Sequence, residues 1–383
     1  MKVHMLHALF LRKNERHAAV THTLELFNAL SRYTEVELFV PDHPDFRGHN
    51  AIHTTKRIDC NKLPYFIRYL LDNLVFIFSY IKYYKKHKPD LVYYRGFIPW
   101  PIILGVPFVV EINGIRSHEF KYEQKSVAFY LRFLSLISKI FERIMVRKAK
   151  LVFAVTSPIR DYLHEEHGIN IKKIVVTPNG ANTELFKPIK SKIEYDLGFA
   201  GNLTKWQGVE YLIEAIHYLV RRGINVTLII IGDGILRHEL EDKAETLGVK
   251  DRITFFGLAK YEEIPLLLSK ARILVSYKVP LPSGYSPLKL YEYLSLGKPV
   301  IVSDVKGFEF IKKLQLGEVV RPEDSVALAN SIEKLMFNPK LRKKYGLKGR
   351  KYVERNHSWL SIARRIHKYL KNTLKIKGEN ELI

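Results

Sequence analysis

Ser283–Val302 reads SGYSPLKLYEYLSLGKPVIV: a polar loop, a short amphipathic helix, a glycine and a β-branched strand. Ser286-Pro287 marks the predicted helix entry, because serine suits an N-cap and proline the first helical position. The free N–H groups of such an entry attract an anion, and Lys289 adds positive charge within that turn. Glu292 stands three positions after Lys289 and four after Leu288, so it shares their helix face. A carboxylate there can accept hydrogen bonds from two ribose hydroxyls. An exposed Lys/Glu pair on an amphipathic helix gives the same spacing, and the segment alone leaves both readings open.

Upstream, Leu197–Ala215 reads LGFAGNLTKWQGVEYLIEA. A predicted strand ends at Gly201, and a polar loop follows with Asn202 and Lys205. Gly208 then opens a helix with Val209, Leu212, Ile213 and Ile216 on its apolar face. A lysine in such a loop can meet a phosphate as a point charge. Trp206 either covers a ligand or seals a hinge. A further strand closes at Gly257-Leu258.

The same alternation of β-rich runs and helical stretches fills the chain, which predicts an α/β fold with parallel sheets. Strands are expected at 3–6, 35–40, 91–94, 108–112, 151–155 and 174–177. After the polar connector FKPIKS the pattern restarts, with strands at 195–200, 226–231, 253–256, 273–277, 299–303 and 317–320. The expected division is a first domain over 1–189 and a second over 190–355, with a closing helix in 356–372 returning to the first. Glycines follow the strands of the second half (Gly201, Gly232, Gly234 and Gly257), where a backbone must approach a ligand. Neither a GxGxxG fingerprint nor a P-loop occurs, which argues against a dinucleotide dehydrogenase or a P-loop NTPase.

Composition narrows the class further. The chain of 383 residues is 47% hydrophobic and 26% charged, an ordinary globular mix. One cysteine, Cys60, excludes an internal disulfide, and no Cys/His cluster suggests structural zinc. A reducing, cytoplasmic setting is expected. The opening MKVHMLHALF is not read as a signal peptide, since His4 and His7 break a short apolar stretch. The apolar run 97–110 carries three prolines, whereas a spanning helix needs about 20 apolar residues. Lys and Arg number 62 against 39 Asp and Glu, a net charge of +23. Such an excess points to an anionic partner or to a lysine-rich surface.

Taken in order and spacing, four segments make the chain recognisable: Val175–Pro188 (VVTPNGANTELFKP), Gly201–Ala215, Ile230–Gly234 (IIGDG) and Pro287–Val302. Together they resemble the retaining glycosyltransferases of the large family four, which have the GT-B fold. The resemblance implies two Rossmann-like domains facing each other across a cleft. The first would take the acceptor and the second a nucleotide-sugar donor. It implies transfer with retention at the anomeric carbon, assisted by the departing diphosphate, with neither metal nor cofactor and with a UDP- or GDP-linked sugar as substrate. Carried over to this sequence, the donor contacts are Gly201, Asn202, Lys205, Gly257, Leu258, Ser286, Pro287, Leu288, Lys289 and Glu292, with Glu292 as the ribose ligand. Closure about the connector 186–191 and the return 356–359 is expected on binding.

The chain departs from the family pattern at named places. The first of the family's two glutamates falls on Gly284. The arginine and lysine usual near the first donor glycine are Asn202 and Gln207 here, which leaves Lys205 to supply charge. The family's active-site histidine stands as Asn113 in EINGI. The first-domain glycine pair is absent from the loop LFLRKNERHAA. Asn113 and His17 are carried as catalytic candidates, and Arg12, Arg16 and Arg95 as contacts to an anionic acceptor.

Ser126–Lys150 supplies one more signal. Arg132, Lys139, Arg143, Arg147 and Lys150 fall on one helix face at 100° per residue. A basic amphipathic helix of this kind suits an anionic membrane surface; a core helix with a solvated basic face is the alternative. The expectation is a peripheral enzyme on the inner face of the cell membrane, acting on a lipid-linked or polysaccharide acceptor. Nucleic acid is not expected, since no such motif appears and the basic residues are spread over both halves. Gly284 and Asn113 keep a second class open, a catalytically silent GT-B protein that binds a membrane or partner.

Overall fold

The computed structural model describes residues 1–8, 18–56, 65–96, 98–115 and 128–380. Arg12, Arg16 and His17 lie outside the described residues, as does the side chain of Arg132. The chain divides into two units, Met1–Pro178 with Leu360–Ile383, and Asn179–Trp359.

The first unit holds seven parallel strands: β1 (Lys2–His7), β2 (Glu35–Pro41), β3 (Ile52–Thr55), β4 (Leu91–Arg95), β5 (Phe108–Ile112), β6 (Leu151–Ala154) and β7 (Ile174–Val176). Their order is β3-β2-β1-β4-β5-β6-β7. Helices α1 (Ala18–Leu30), α2 (Tyr65–Tyr84), α3 (Trp100–Ile103), α4 (Ala128–Lys148) and α5 (Ser157–His167) connect them. The central strands are buried on both faces, which is why their β-branched runs show no alternation. Phe76, Ile77 and Tyr80 of α2 and Met145 and Val146 of α4 share one core with Val92, Val110 and Val152. Each such side chain contributes about 1.5–3 kcal/mol by leaving water. Strand β3 was not anticipated. It is a four-residue edge strand, IHTT, paired on one side only, too short and polar for hydrophobic patterning.

The second unit holds six parallel strands where the sequence places them: β8 (Tyr195–Ala200), β9 (Leu228–Ile231), β10 (Ile253–Gly257), β11 (Ala271–Ser276), β12 (Val300–Ser303) and β13 (Gly317–Val320). They run in the order β10-β9-β8-β11-β12-β13. The helices are α6 (Val209–Arg221), α7 (Arg237–Thr246), α8 (Ile264–Ser269), α9 (Leu288–Ser295), α10 (Glu309–Leu314), α11 (Ser325–Met336) and α12 (Pro339–Asn356). One core packs α6 and α11 on the sheet, and another packs α8, α9 and α10. The last helix, α13 (Trp359–Asn380), carries the chain back into the first unit.

The division falls earlier than the expected 189/190, and local bonding explains it. The Asn179 N–H donates to Ser286 Oγ at 2.9 Å. Ala181 bridges Ser358, with its N–H on His357 O at 2.8 Å. Phe186 is fully buried, and the Arg350 guanidinium donates to its carbonyl at 2.7 Å. The stretch 179–189 is therefore fastened to the second unit rather than the first.

Strand order reverses between β1 and β4 in one sheet and between β8 and β11 in the other. In open parallel sheets ligands bind beyond the carboxyl ends of the strands at such switch points.

Candidate functional site

In the second unit the switch point is lined by Gly201, just after β8, and Lys278, two residues past β11. Lys278 is 3% exposed and Lys289, from the first turn of α9, is 8% exposed. The Nζ atoms of both donate to one acceptor, Gln207 Oε1, each at 2.6 Å. Lys289 Nζ also lies 3.9 Å from the centroid of the Phe199 ring, a cation–π contact. Gly201 (φ +150°) clears its path: a Cβ there would stand 3.0 Å from that Nζ. Lys278 is pinned by Ser303, whose hydroxyl accepts its N–H at 2.8 Å and donates to its carbonyl at 2.7 Å. Burial lowers the Lys278 ammonium to about 7. Burial first, and Lys278 second, push Lys289 well below the ordinary lysine range, with Glu292 opposing.

Helix α9 is buried along its length. Glu292 is 7% exposed, and its Oε1 accepts the Tyr261 hydroxyl at 2.8 Å. Tyr293 fixes the helix to the end of β8, accepting the Ala200 N–H at 2.6 Å and donating to its carbonyl at 3.2 Å. The Lys/Glu pair is thus not a solvated surface pair. The helix entry differs from the expectation. Pro287, with extended ψ 132°, is the N-cap, and no side chain caps the helix. The Ser286 hydroxyl accepts the Asn179 N–H instead, and the Asn179 amide donates to the Ser286 carbonyl at 2.5 Å.

Gly284 has φ +65°, and a Cβ would stand 2.9 Å from the Lys306 carbonyl, which accepts the Tyr285 N–H at 2.8 Å. The backbone there disfavours the glutamate that the family pattern places at this position.

Lys205 sits in a 3₁₀ turn with Gln207 and is exposed, as are Asn202 and Leu258. Of the two lysines expected to supply charge, Lys205 is thus exposed, and the cations that converge are Lys289 and Lys278. Lys278 went unread, although a lysine just past a legible strand was a usable signal. Gly257 closes β10, where its carbonyl accepts the Gly232 N–H at 2.7 Å. Leu288 and Pro287 stand at the start of α9.

At the switch point of the first unit the cluster is of mixed charge. Glu111 Oε1 lies 3.1 Å from His22 Nε2 and 3.8 Å from Arg95 Nε. Tyr93 donates its hydroxyl to Oε2 of the same carboxylate. Arg95 Nη1 is 2.7 Å from His22 Nδ1. A guanidinium only donates, so Nδ1 accepts and the proton sits on Nε2, facing Glu111. Burial disfavours the charge on Glu111, yet His22 and Arg95 hold its carboxyl below the ordinary range. Arg95, expected to meet an anionic acceptor, is tied to this carboxylate. Both amide atoms of Asn113 are buried without a hydrogen-bond partner among the described residues.

On α4 the basic stripe is partly engaged. Lys139 pairs with Glu166 at 2.7 Å, and Arg147 donates to the His167 carbonyl at 3.2 and 3.3 Å. Arg143 is exposed. Beside it three apolar residues one turn apart, Leu136, Ile140 and Ile144, are 59%, 47% and 41% exposed.

Among the described residues no group of three or more His, Cys, Asp or Glu could hold a metal ion. No helix of these residues is long and apolar enough to cross a membrane.

Comparison with known proteins agrees with this fold. Residues 181–352 match the model for glycosyl transferases group 1, and residues 19–185 match that for Glycosyltransferase Family 4. Alpha-D-kanosaminyltransferase of Streptomyces kanamyceticus is 30% identical over 258 residues, covering 63% of this chain and 64% of its own. The chain thus spans a little under two thirds of that relative. Among solved structures, sucrose-phosphate synthase from Thermosynechococcus elongatus superposes with a TM-score of 0.80 at 18% identity, over 98% of this chain and 99% of its own. Anabaena HepE in complex with UDP gives 0.72 at 18% identity, over 97% and 100%. The two family models meet near the boundary between the units and together take in every strand of both sheets but β1, and the chain belongs to the family 4 glycosyltransferases of the GT-B fold.

Proposed function

We propose that the chain moves a sugar from a nucleotide diphosphate donor, UDP- or GDP-linked, to a lipid-linked or glycan acceptor, with retention and without metal or cofactor. The observation that carries this reading is the convergence of buried Lys278 and Lys289 on Gln207 at the switch point, one turn from buried Glu292. Two lysines there suit a diphosphate, and Glu292 suits the ribose hydroxyls. The UDP complex of HepE supports a uridine donor. In this reading the lysine pair and the first N–H groups of α9 stabilise the negative charge that grows on the leaving diphosphate. The acceptor attacks from the same face of the sugar. Asn113 takes a hydroxyl of the substrate, since both its amide atoms are unpartnered.

The exposed stripe Leu136–Ile140–Ile144, beside Arg143 and Lys148 of α4, is the membrane-facing element of this proposal. Apolar residues enter the acyl boundary while basic ones meet anionic headgroups. The enzyme then works peripherally on the inner face of the cell membrane.

A thermal-shift screen over UDP, GDP, ADP and TDP sugars tests the donor, because a ligand that binds the folded state raises its melting temperature. Donor hydrolysis without acceptor then separates a transferase from a silent GT-B protein. Binding without hydrolysis or transfer would favour the silent reading.

A further inference from the structure

Both lysine Nζ atoms lie 2.6 Å from the same oxygen, so they stand within about 5 Å of each other. Each side chain is more than nine-tenths buried. Two ammonium groups held so close, away from water, repel strongly. A neutral amide oxygen offers two lone pairs but no charge to offset them. Around Lys289 stand Phe199 from β8, Gln207, Lys278, and Glu292 from its own helix. Around Lys278 stand Gln207, the Tyr285 ring at 5.2 Å and Ser303. Among the described residues the carboxylate acting on Lys289 is Glu292, which also accepts the Tyr261 hydroxyl.

We propose that the pair is a proton-linked clamp, in which an incoming diphosphate displaces Gln207 from both lysines and the site takes up a proton as it fills. This rests on the donor reading above and adds its regulation by pH. In the empty site at most one lysine carries charge. A diphosphate brings negative oxygens between them and makes the doubly charged state favourable. Burial that lowers both lysines in the free protein is consistent with this. The sign follows: below about pH 7 Lys278 is already charged, so only Lys289 has a proton to gain. Above it, each bound diphosphate must recruit a proton for Lys278 as well, from increasingly basic solution.

The probe is UDP, titrated calorimetrically at pH 8.5 and 6.5 in two buffers of unlike ionisation enthalpy. Terminal phosphate oxygens ionise near pH 6, so at pH 8.5 the ligand brings no proton of its own. The expected result is uptake of more than one proton at pH 8.5, about one or less at 6.5, where the ligand brings part of its own, and a Kd that rises at least tenfold per pH unit from 7.5 to 9. Removing either lysine relieves the repulsion, so uptake shrinks in both Lys278→Met and Lys289→Met. Lys278→Arg keeps a fixed charge, so it binds UDP with a flatter pH profile. UDP binding with no uptake, or uptake unchanged in both Met variants, overturns the clamp and leaves the donor site standing. No binding of UDP, GDP, ADP or TDP at pH 6.5 overturns the donor reading and the clamp with it. Melting curves of each variant confirm that the protein tested is folded.

Discussion

Lys278 and Lys289, separated in sequence by the whole loop before α9, share a single hydrogen-bond acceptor, the side-chain oxygen of Gln207. The arrangement places an amide where an anion would be better tolerated. Gln207→Glu should therefore fill the site from within. A carboxylate between two lysines makes charge-assisted bonds and competes with the donor diphosphate. The expected outcome is a higher melting temperature and a UDP affinity at least tenfold lower, about 1.4 kcal/mol. Unchanged UDP affinity in isothermal titration would remove the lysine pair from the donor site.

Glu292 is expected to hold the ribose. Glu292→Gln keeps the shape and removes the charge, which should weaken nucleotide binding by about 1–3 kcal/mol, the worth of a hydrogen bond to a charged group. Tyr261→Phe, which deletes the partner of Oε1, should cost less. Calorimetry with UDP measures both. Equal affinity in the wild type and a folded Glu292→Gln protein would reject the assignment.

Restoring the family's first glutamate should fail. Gly284→Glu forces a side chain into φ +65° and against the Lys306 carbonyl. The left-handed backbone costs about 1–2 kcal/mol before any clash. A melting temperature lower by a few degrees and no gain in donor hydrolysis are expected. A stable, more active variant would show that the loop adapts.

The exposed apolar stripe on α4 makes a distinct prediction for vesicles. Sedimentation should show binding to phosphatidylglycerol vesicles that weakens with salt but does not vanish, because Leu136, Ile140 and Ile144 contribute apolar burial. Ile140→Asp should reduce binding tenfold or more. Binding abolished by salt and indifferent to Ile140→Asp would leave only a charged surface contact.

Acid should destabilise the first unit in a defined window. Burial lowers His4 to about 4 and holds His7 and His22 below the ordinary histidine range. The unfolded chain binds these protons below about pH 6.5 and the folded chain does not. Stability is therefore complete above pH 6.5 and falls below it, at about 1.4 kcal/mol per pH unit for each histidine. Glu37 and Glu111, both held low, add their loss only at more acid pH. Hydrogen exchange of β1 amides at pH 7.5 and 5.5, corrected for the intrinsic rate, reads this directly. Equal opening free energies would contradict it.

Twelve strands were legible before any coordinates, since runs such as Leu228–Ile231, LIII, admit few alternatives in a chain that alternates with helices. So were α9 and Glu292, because helical spacing ties a carboxylate to a helix entry within one turn. The misses share a cause. Strand β3 is an edge, held by one neighbour, so it needs no apolar pattern. Helix α12 reads PKLRKKYGLKGRKYVERN and shows almost no apolar periodicity. It buries only Tyr345, Gly346, Gly349 and Val353, with Gly346 against the Gly297 carbonyl and Gly349 against Leu294 of α9, contacts that local spacing does not show. The lysine pair is the clearest case. Gln207 lies 71 residues from Lys278 and 82 from Lys289. Local spacing cannot join positions so far apart. The crossing of β8 next to β11 does, because parallel strands bring distant carboxyl ends to one edge, and burial there sets the charge that each lysine can carry.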